Sequence, residues 1–98
     1  MDKGEAIEIV RNYKHAIADK FRDAKVYLYG SYSKGTAHKD SDIDVAVIVP
    51  KIDGDFLTLS AYLWHKVDDV NLLIEPILME DGEPSPLFED VMKTGVAV

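Results

Sequence analysis

Two aspartates separated by one residue, Asp42-Ile43-Asp44, open an apolar stretch that runs through Val45, Val47 and Val49 to Pro50. Alternation along a strand sends residues i and i+2 to one face, so the two carboxylates point the same way, roughly 6.6 Å apart along the backbone. Magnesium sits about 2.0–2.1 Å from its oxygen ligands, and paired catalytic metals lie about 3.5–4 Å apart. Two such carboxylates can therefore grip one or two ions together. Ala46 and Ile48 continue the acidic face while Ile43, Val45, Val47 and Val49 fill the other, which predicts a strand buried on both sides with acids at its mouth. Bare carboxylates in that position repel each other and lose hydration, a cost that a cation or protons must offset. Asp42 alone reads as a loop-end residue. Paired with Asp44, it reads as chemistry.

With ten residues between it and Asp42, Gly30-Ser31 ends another strand, Val26-Tyr27-Leu28-Tyr29. Gly30 lets its backbone approach a ligand closely, and Ser31 offers a hydroxyl and an amide. If Ser31 starts a short helix, its exposed amides face a phosphate. A Gly-Ser turn alone is common. Followed by the aspartate pair, it sets phosphate donors opposite a metal site, as nucleoside triphosphate chemistry requires. Lys34 and Lys39 in the same polar stretch are placed either to neutralise phosphate or to stand solvated.

The surrounding elements are those that must hold this pair of features. Ile7, Val10, Tyr13, Ile17 and Phe21 recur at three- or four-residue steps, which predicts an amphipathic helix from Gly4 to Phe21. Residues 32–41 read as a loop. Phe56, Leu59, Leu63 and Val67 predict a helix capped by Asp55, with Phe56, Tyr62 and Trp64 packing or, for Trp64, standing at a partner interface. Leu72–Met79 reads as a strand, and Pro76, lacking a backbone donor, sends it to a sheet edge or a bulge. Ser85 and Pro86 cap and open a last helix to about Lys93, with Gly95 closing it and a short strand at Val96–Val98. Residues 1–98 thus form one α/β (α+β) domain, a small mixed sheet of three to five strands flanked by helices.

Gly30-Ser31, ten residues and Asp42-x-Asp44 together resemble the defining motif of the nucleotidyltransferase superfamily related to DNA polymerase β, specifically its minimal MNT-type branch. The likeness extends along most of the chain. It implies the nucleotidyltransferase fold and transfer of AMP from ATP, with two magnesium ions, to a tyrosine of a partner. The implied partner is a helical HEPN-domain toxin, for which this chain would be the antitoxin. Gly30, Ser31 and Lys34 would bind the nucleotide, and Asp42 and Asp44 the metal. The pattern also implies a third carboxylate on an adjacent strand, completing the metal site or accepting the attacking hydroxyl's proton. Glu75, set among apolar neighbours, fits best. Its other reading is an edge-strand charge that discourages aggregation. Asp68 and Asp69 are weaker candidates at a helix end. Tyr32 either stacks on a base or covers the loop.

Composition narrows the alternatives. The 98 residues carry 18 acidic and 11 basic side chains, a net charge of −7, with no cysteine. Residues 40–98 hold 13 of the acids and 3 of the bases, so that half is a poor nucleic-acid surface. A disulfide framework and thiolate metal sites are excluded, and a reducing, cytoplasmic setting is expected. His15, His38 and His65 are too scattered for a histidine site. The longest apolar run, Val45–Val49, is far short of the ~20 residues of a membrane span. The start carries no secretory pattern. So small a domain is expected to act with a helical partner or with a second copy of itself. Two other functions fit the same residues: a non-catalytic antitoxin that blocks by contact, and nucleotidylation of a small hydroxylated molecule.

Overall fold

A computed structural model describes all 98 residues. The elements run α1 (Lys3–Ile17), β1 (Lys25–Tyr29), α2 (Ser31–Lys34), β2 (Ile43–Val49), α3 (Phe56–Val67), β3 (Ile74–Glu80), α4 (Pro86–Thr94) and β4 (Val96–Ala97). They build one four-stranded mixed sheet in the order β3-β2-β1-β4. β1 is antiparallel to both β2 and β4, whereas β2 and β3 run parallel, joined by the α3 crossover. Pro76 lies in β3 at the sheet edge, where its missing donor costs least. No helix is long and apolar enough to cross a membrane.

The two faces of the sheet are covered differently. One face carries Val26, Leu28, Ile43, Val45, Val47, Ile74 and Leu78, sealed by Ala6, Val10, Tyr13 and Ile17 of α1 and by Leu63 and Val67 of α3. Burying each aliphatic side chain there contributes roughly 1.5–3 kcal/mol before chain entropy is offset. The Tyr13 hydroxyl donates to the Leu63 carbonyl at 2.7 Å and so ties the two helices together inside this core. The other face is smaller: Ala46, Ile48 and Met79 meet Val91 of α4, with Tyr27, Tyr29, Ile77, Leu87 and Phe88 around them.

The helix ends follow local chemistry. Asp2 caps α1 through the Glu5 amide, with Glu5 reaching back in a capping box. Asp55 accepts from the Thr58 amide, and Ser85 from the Phe88 amide ahead of Pro86. Four expectations need correction. The first helix stops at Ile17 rather than Phe21; the chain turns there, but the Phe21 amide still donates to the Ile17 carbonyl at 2.8 Å, which keeps Phe21 on the core. The stretch 32–41 is not all loop, because Ser31–Lys34 coil into one helical turn that sinks Tyr32 into the main core. The third strand begins at Ile74, not Leu72, since the Asn71 side chain accepts from the Leu73 amide and bends the chain, leaving Leu72 exposed. Phe56 and Trp64 do not pack: Trp64 is 50% exposed, on the face of α3 that turns away from the sheet.

Candidate active site

The acids gather on the α4 face of the sheet, at the end where β1 finishes and β2 and β3 begin. In register, Asp44 stands opposite Tyr29 on β1 and opposite Glu75 on β3. Neighbouring strands lie about 4.8 Å apart, so paired residues project side by side. Asp42, two residues before Asp44, extends the same face beyond the ladder. The approach to β2 is fixed by a closed turn, in which the Ser41 hydroxyl accepts from the His38 amide at 2.9 Å and the Ser41 amide donates to the His38 carbonyl at 3.0 Å. The Ile43 amide then donates to the Leu73 carbonyl at 2.8 Å, starting the pairing with β3 one residue before Asp44.

Gly30 faces this cluster from β1. Its φ of 75° and ψ of −147° fall in a region that essentially only glycine occupies, and a Cβ there would run into the Asp44 carboxylate. The bend therefore demands glycine twice over, once for its backbone and once for space. Immediately after it, α2 begins with no side chain capping its leading amides. The turn is held from behind: Tyr32 is buried, the Ser33 hydroxyl donates to the Gly30 carbonyl at 2.9 Å, and Lys3 of α1 donates to the Ser33 carbonyl at 3.3 Å. Ser31 is half-buried at the front of this turn.

Electrostatics bind the acids into one unit. Burial, then the Asp42 charge, raises the Asp44 carboxyl above its ordinary range. Glu75 is also raised, first by burial and then by Asp42, Asp44 and a hydrogen bond with Asp42. Tyr29 is pushed up to about 12 by burial and by the charges of Asp44, Glu75 and Asp90. Each shift reports a group whose ionised form is disfavoured first by burial and then by neighbouring negative charge. Neither Asp68 nor Asp69 takes part; both lie exposed at the end of α3.

No three acidic or histidine side chains are drawn closely enough to cage a metal by themselves. The donor chemistry nonetheless fits magnesium, a hard ion that commonly takes one or two protein carboxylates and completes its shell with water and substrate phosphates. Asp42 and Asp44, with Glu75 beside them, are such a set. Lys34 is exposed and its ammonium sits 3.1 Å from the Asp90 carboxylate on α4. Lys39 is exposed on the following loop, and His15, His38 and His65 form no cluster.

The largest cavity, about 390 Å³, is elsewhere: Phe21, Val49, Pro50, Ile52 and Leu59 line it at the far end of β2. Neither it nor the two smaller concavities includes Asp42, Asp44 or Glu75. The carboxylates lie on an open shelf. Tyr29 and Asp90 are the parts of this shelf that sequence reading missed. Tyr29 had a local signal, being the residue before Gly30 and in step with Tyr27, whereas Asp90 joins the site only through the packing of α4.

The chain is similar to known proteins. MJ0141 of Methanocaldococcus jannaschii, which is named as a protein adenylyltransferase, is 28% identical over 101 residues, covering 96% of this chain and 99% of that one. A crystal structure of a toxin–antitoxin with AMP-PNP matches with a TM-score of 0.61 and 25% identity over 99% of this chain and 72% of that one. The fold is shared also with a nucleotidyltransferase-type structure from Sulfolobus solfataricus, with a TM-score of 0.70 at 20% identity, covering 97% of this chain and 80% of that one. The family model described as Nucleotidyltransferase domain matches residues 10–89, and the chain belongs to that family.

Proposed function

We propose that this nucleotidyltransferase moves AMP from ATP to a hydroxyl, a tyrosine side chain, of a helical HEPN-domain toxin, and so acts as its antitoxin. The observation that carries the reading is the register of Asp44 against Glu75 beside a glycine that only fits because it has no side chain. The adenylyltransferase name of the M. jannaschii relative supports the donor, and the AMP-PNP and toxin in the matched structure support ATP and the partner.

The triphosphate lies over Gly30-Ser31, where the uncapped amides of α2 and the Lys34 ammonium meet its charge. Asp42 and Asp44, with Glu75 available, would hold magnesium, which would supply charge neutralisation at the attacking and departing oxygens. The acceptor hydroxyl attacks the α-phosphorus, an O–P bond forms, the bond to the β-phosphate oxygen breaks, and pyrophosphate leaves. Glu75 accepts the hydroxyl proton. Its raised pKa makes it a stronger base than an ordinary glutamate.

The open shelf favours a protein acceptor over a small hydroxylated molecule. A small acceptor is normally enclosed by its pocket, whereas a docked protein brings its own walls. The exposed Leu57 and Trp64 on α3, and Leu72 three residues before Glu75, offer a partner apolar contact. That same surface supports the second reading, an antitoxin that neutralises by contact alone. Incubation with α-labelled ATP, magnesium and the toxin separates the two. Catalysis gives label on the toxin, lost on combining Asp42→Ala with Asp44→Ala, and neutralises toxin in molar excess. Contact alone gives no label and saturates at one copy per toxin.

A further inference from the structure

Lys34 and Asp90 come from elements far apart in sequence, α2 and α4, and meet at the rim of the acidic shelf. Lys34 is the last residue of the one-turn helix that starts at Ser31, directly after Gly30. Asp90 lies on α4, the helix that packs through Val91, Leu87 and Phe88 on the same sheet face as Ala46, the face that also carries Asp44. The two carboxylate oxygens of Asp90 are separately engaged. One lies 3.1 Å from the Lys34 ammonium, and the other lies 3.5 Å from the Thr94 hydroxyl, which donates principally to the Asp90 carbonyl at 2.9 Å. Val91, the next residue, is fully buried and pins this part of α4 to the sheet. The lysine beside the phosphate turn therefore already has an anionic partner, held on a helix that packing keeps in place.

We propose that Asp90 is a specificity-determining residue that competes with the nucleotide's phosphate tail for Lys34, so that a triphosphate displaces the carboxylate and a monophosphate does not. The inference rests on the nucleotide reading above and adds to it which phosphates Lys34 answers to. The ion pair is about half-exposed, so its own strength is modest and a polyanion can break it. A triphosphate brings more negative charge than one carboxylate and reaches further along α2. A single phosphate next to the sugar brings less and reaches less far.

Isothermal titration with magnesium and AMP-PNP, and separately with AMP, tests this on the intact chain. Asp90→Asn keeps the size of the side chain and its reach to Thr94 but removes the charge. It is expected to tighten AMP-PNP about two- to five-fold, the range that a half-exposed pair can contribute, and to leave AMP unchanged. Lys34→Met is expected to weaken AMP-PNP, and Asp90→Asn added to it to change nothing more. Equal tightening of AMP and AMP-PNP, an unchanged or weakened AMP-PNP affinity in Asp90→Asn, or the same gain with and without Lys34 would overturn the proposal. A wild-type chain that takes up no AMP-PNP at all removes the nucleotide reading itself, and this inference with it. Unfolding midpoints of the variants, read by circular dichroism, separate a folding defect from a binding effect.

Discussion

The two faces of β2 are built for opposite ends. Ile43, Val45 and Val47 look towards α1 and α3 into a core of 15 buried residues, while Ala46 and Ile48 look towards α4 into a cluster of only 4. On the second face the apolar cover stops short, and the next position, Asp44, carries charge at the boundary between core and water. Stability is concentrated where the sheet is sealed, and that rigidity holds acids together where it is not. A carboxylate whose pKa is raised by burial and by neighbouring charge weakens the fold in its ionised form. The acidic face is thus maintained against its own repulsion by the other one.

The largest effect should come from the acidic face. Asp42→Asn with Asp44→Asn is expected to lower label transfer to the toxin by at least about 10³-fold, as loss of a preorganised electrostatic site does, while leaving the unfolding midpoint no lower than in the wild type. A lower midpoint would mean that these acids stabilise the fold, and the contrast between faces would fail. On the sealed face the outcome reverses. Leu28→Ala, at a fully buried position, should cost about 2–5 kcal/mol in denaturant melts, with transfer per folded molecule preserved.

Gly30→Ala sits on the border. The positive φ and the collision with Asp44 should cost about 1–3 kcal/mol, and transfer should fall as well because the carboxylate is displaced. Alanine that melts and transfers like the wild type would show that the close approach is unnecessary.

The pH response sharpens the comparison further. Folding raises the Asp44 and Glu75 pKa values, so the folded state binds their protons more readily than the unfolded chain does. Their penalty is absent below the ordinary carboxylate range, grows as pH rises through the raised values, and is constant above them. Asp44→Asn should therefore melt higher than the wild type at neutral pH, and the gap should close as pH falls into the carboxylate range. Asp19 and Asp55, both lowered by hydrogen bonds, act in the opposite direction at acid pH in both proteins and cancel in the difference. Smallest of all is the surface: Trp64→Ser should change stability by no more than about 0.5 kcal/mol.

What could be read from the sequence followed periods of two and of three or four, because those are set locally. Asp42 and Asp44 sharing a face and the buried strand behind them follow from alternation, whereas Glu75 on a neighbouring strand was implied by the resemblance to nucleotidyltransferases. On α3 the predicted Leu59, Leu63 and Val67 reach the core, whereas Phe56 and Trp64 do not. Leu59, Leu63 and Val67 repeat at helical spacing, but so do Leu57, Ala61 and Trp64. Apolar residues on both sides of one helix leave the choice of core face to tertiary packing, and the sheet took the first set. Tyr32 was ambiguous for a related reason, since a polar neighbourhood conceals one aromatic that a single helical turn can bury. Asp90 meets Lys34 across 56 positions, and no local period encodes that.

The central claim is that Asp42 and Asp44, in register with Glu75, bind the cation that accompanies a nucleotide at Gly30-Ser31. Substoichiometric manganese added with AMP-PNP to the isotopically labelled chain tests it residue by residue, because the paramagnetic ion broadens the amide signals nearest to it. Loss of signal should begin at Gly30, Ser31, Asp42, Asp44 and Glu75 and should disappear in Asp42→Asn with Asp44→Asn. Broadening that instead begins at Asp53 and Asp55, or at Asp68 and Asp69, would show that the acidic shelf is not where the ion goes.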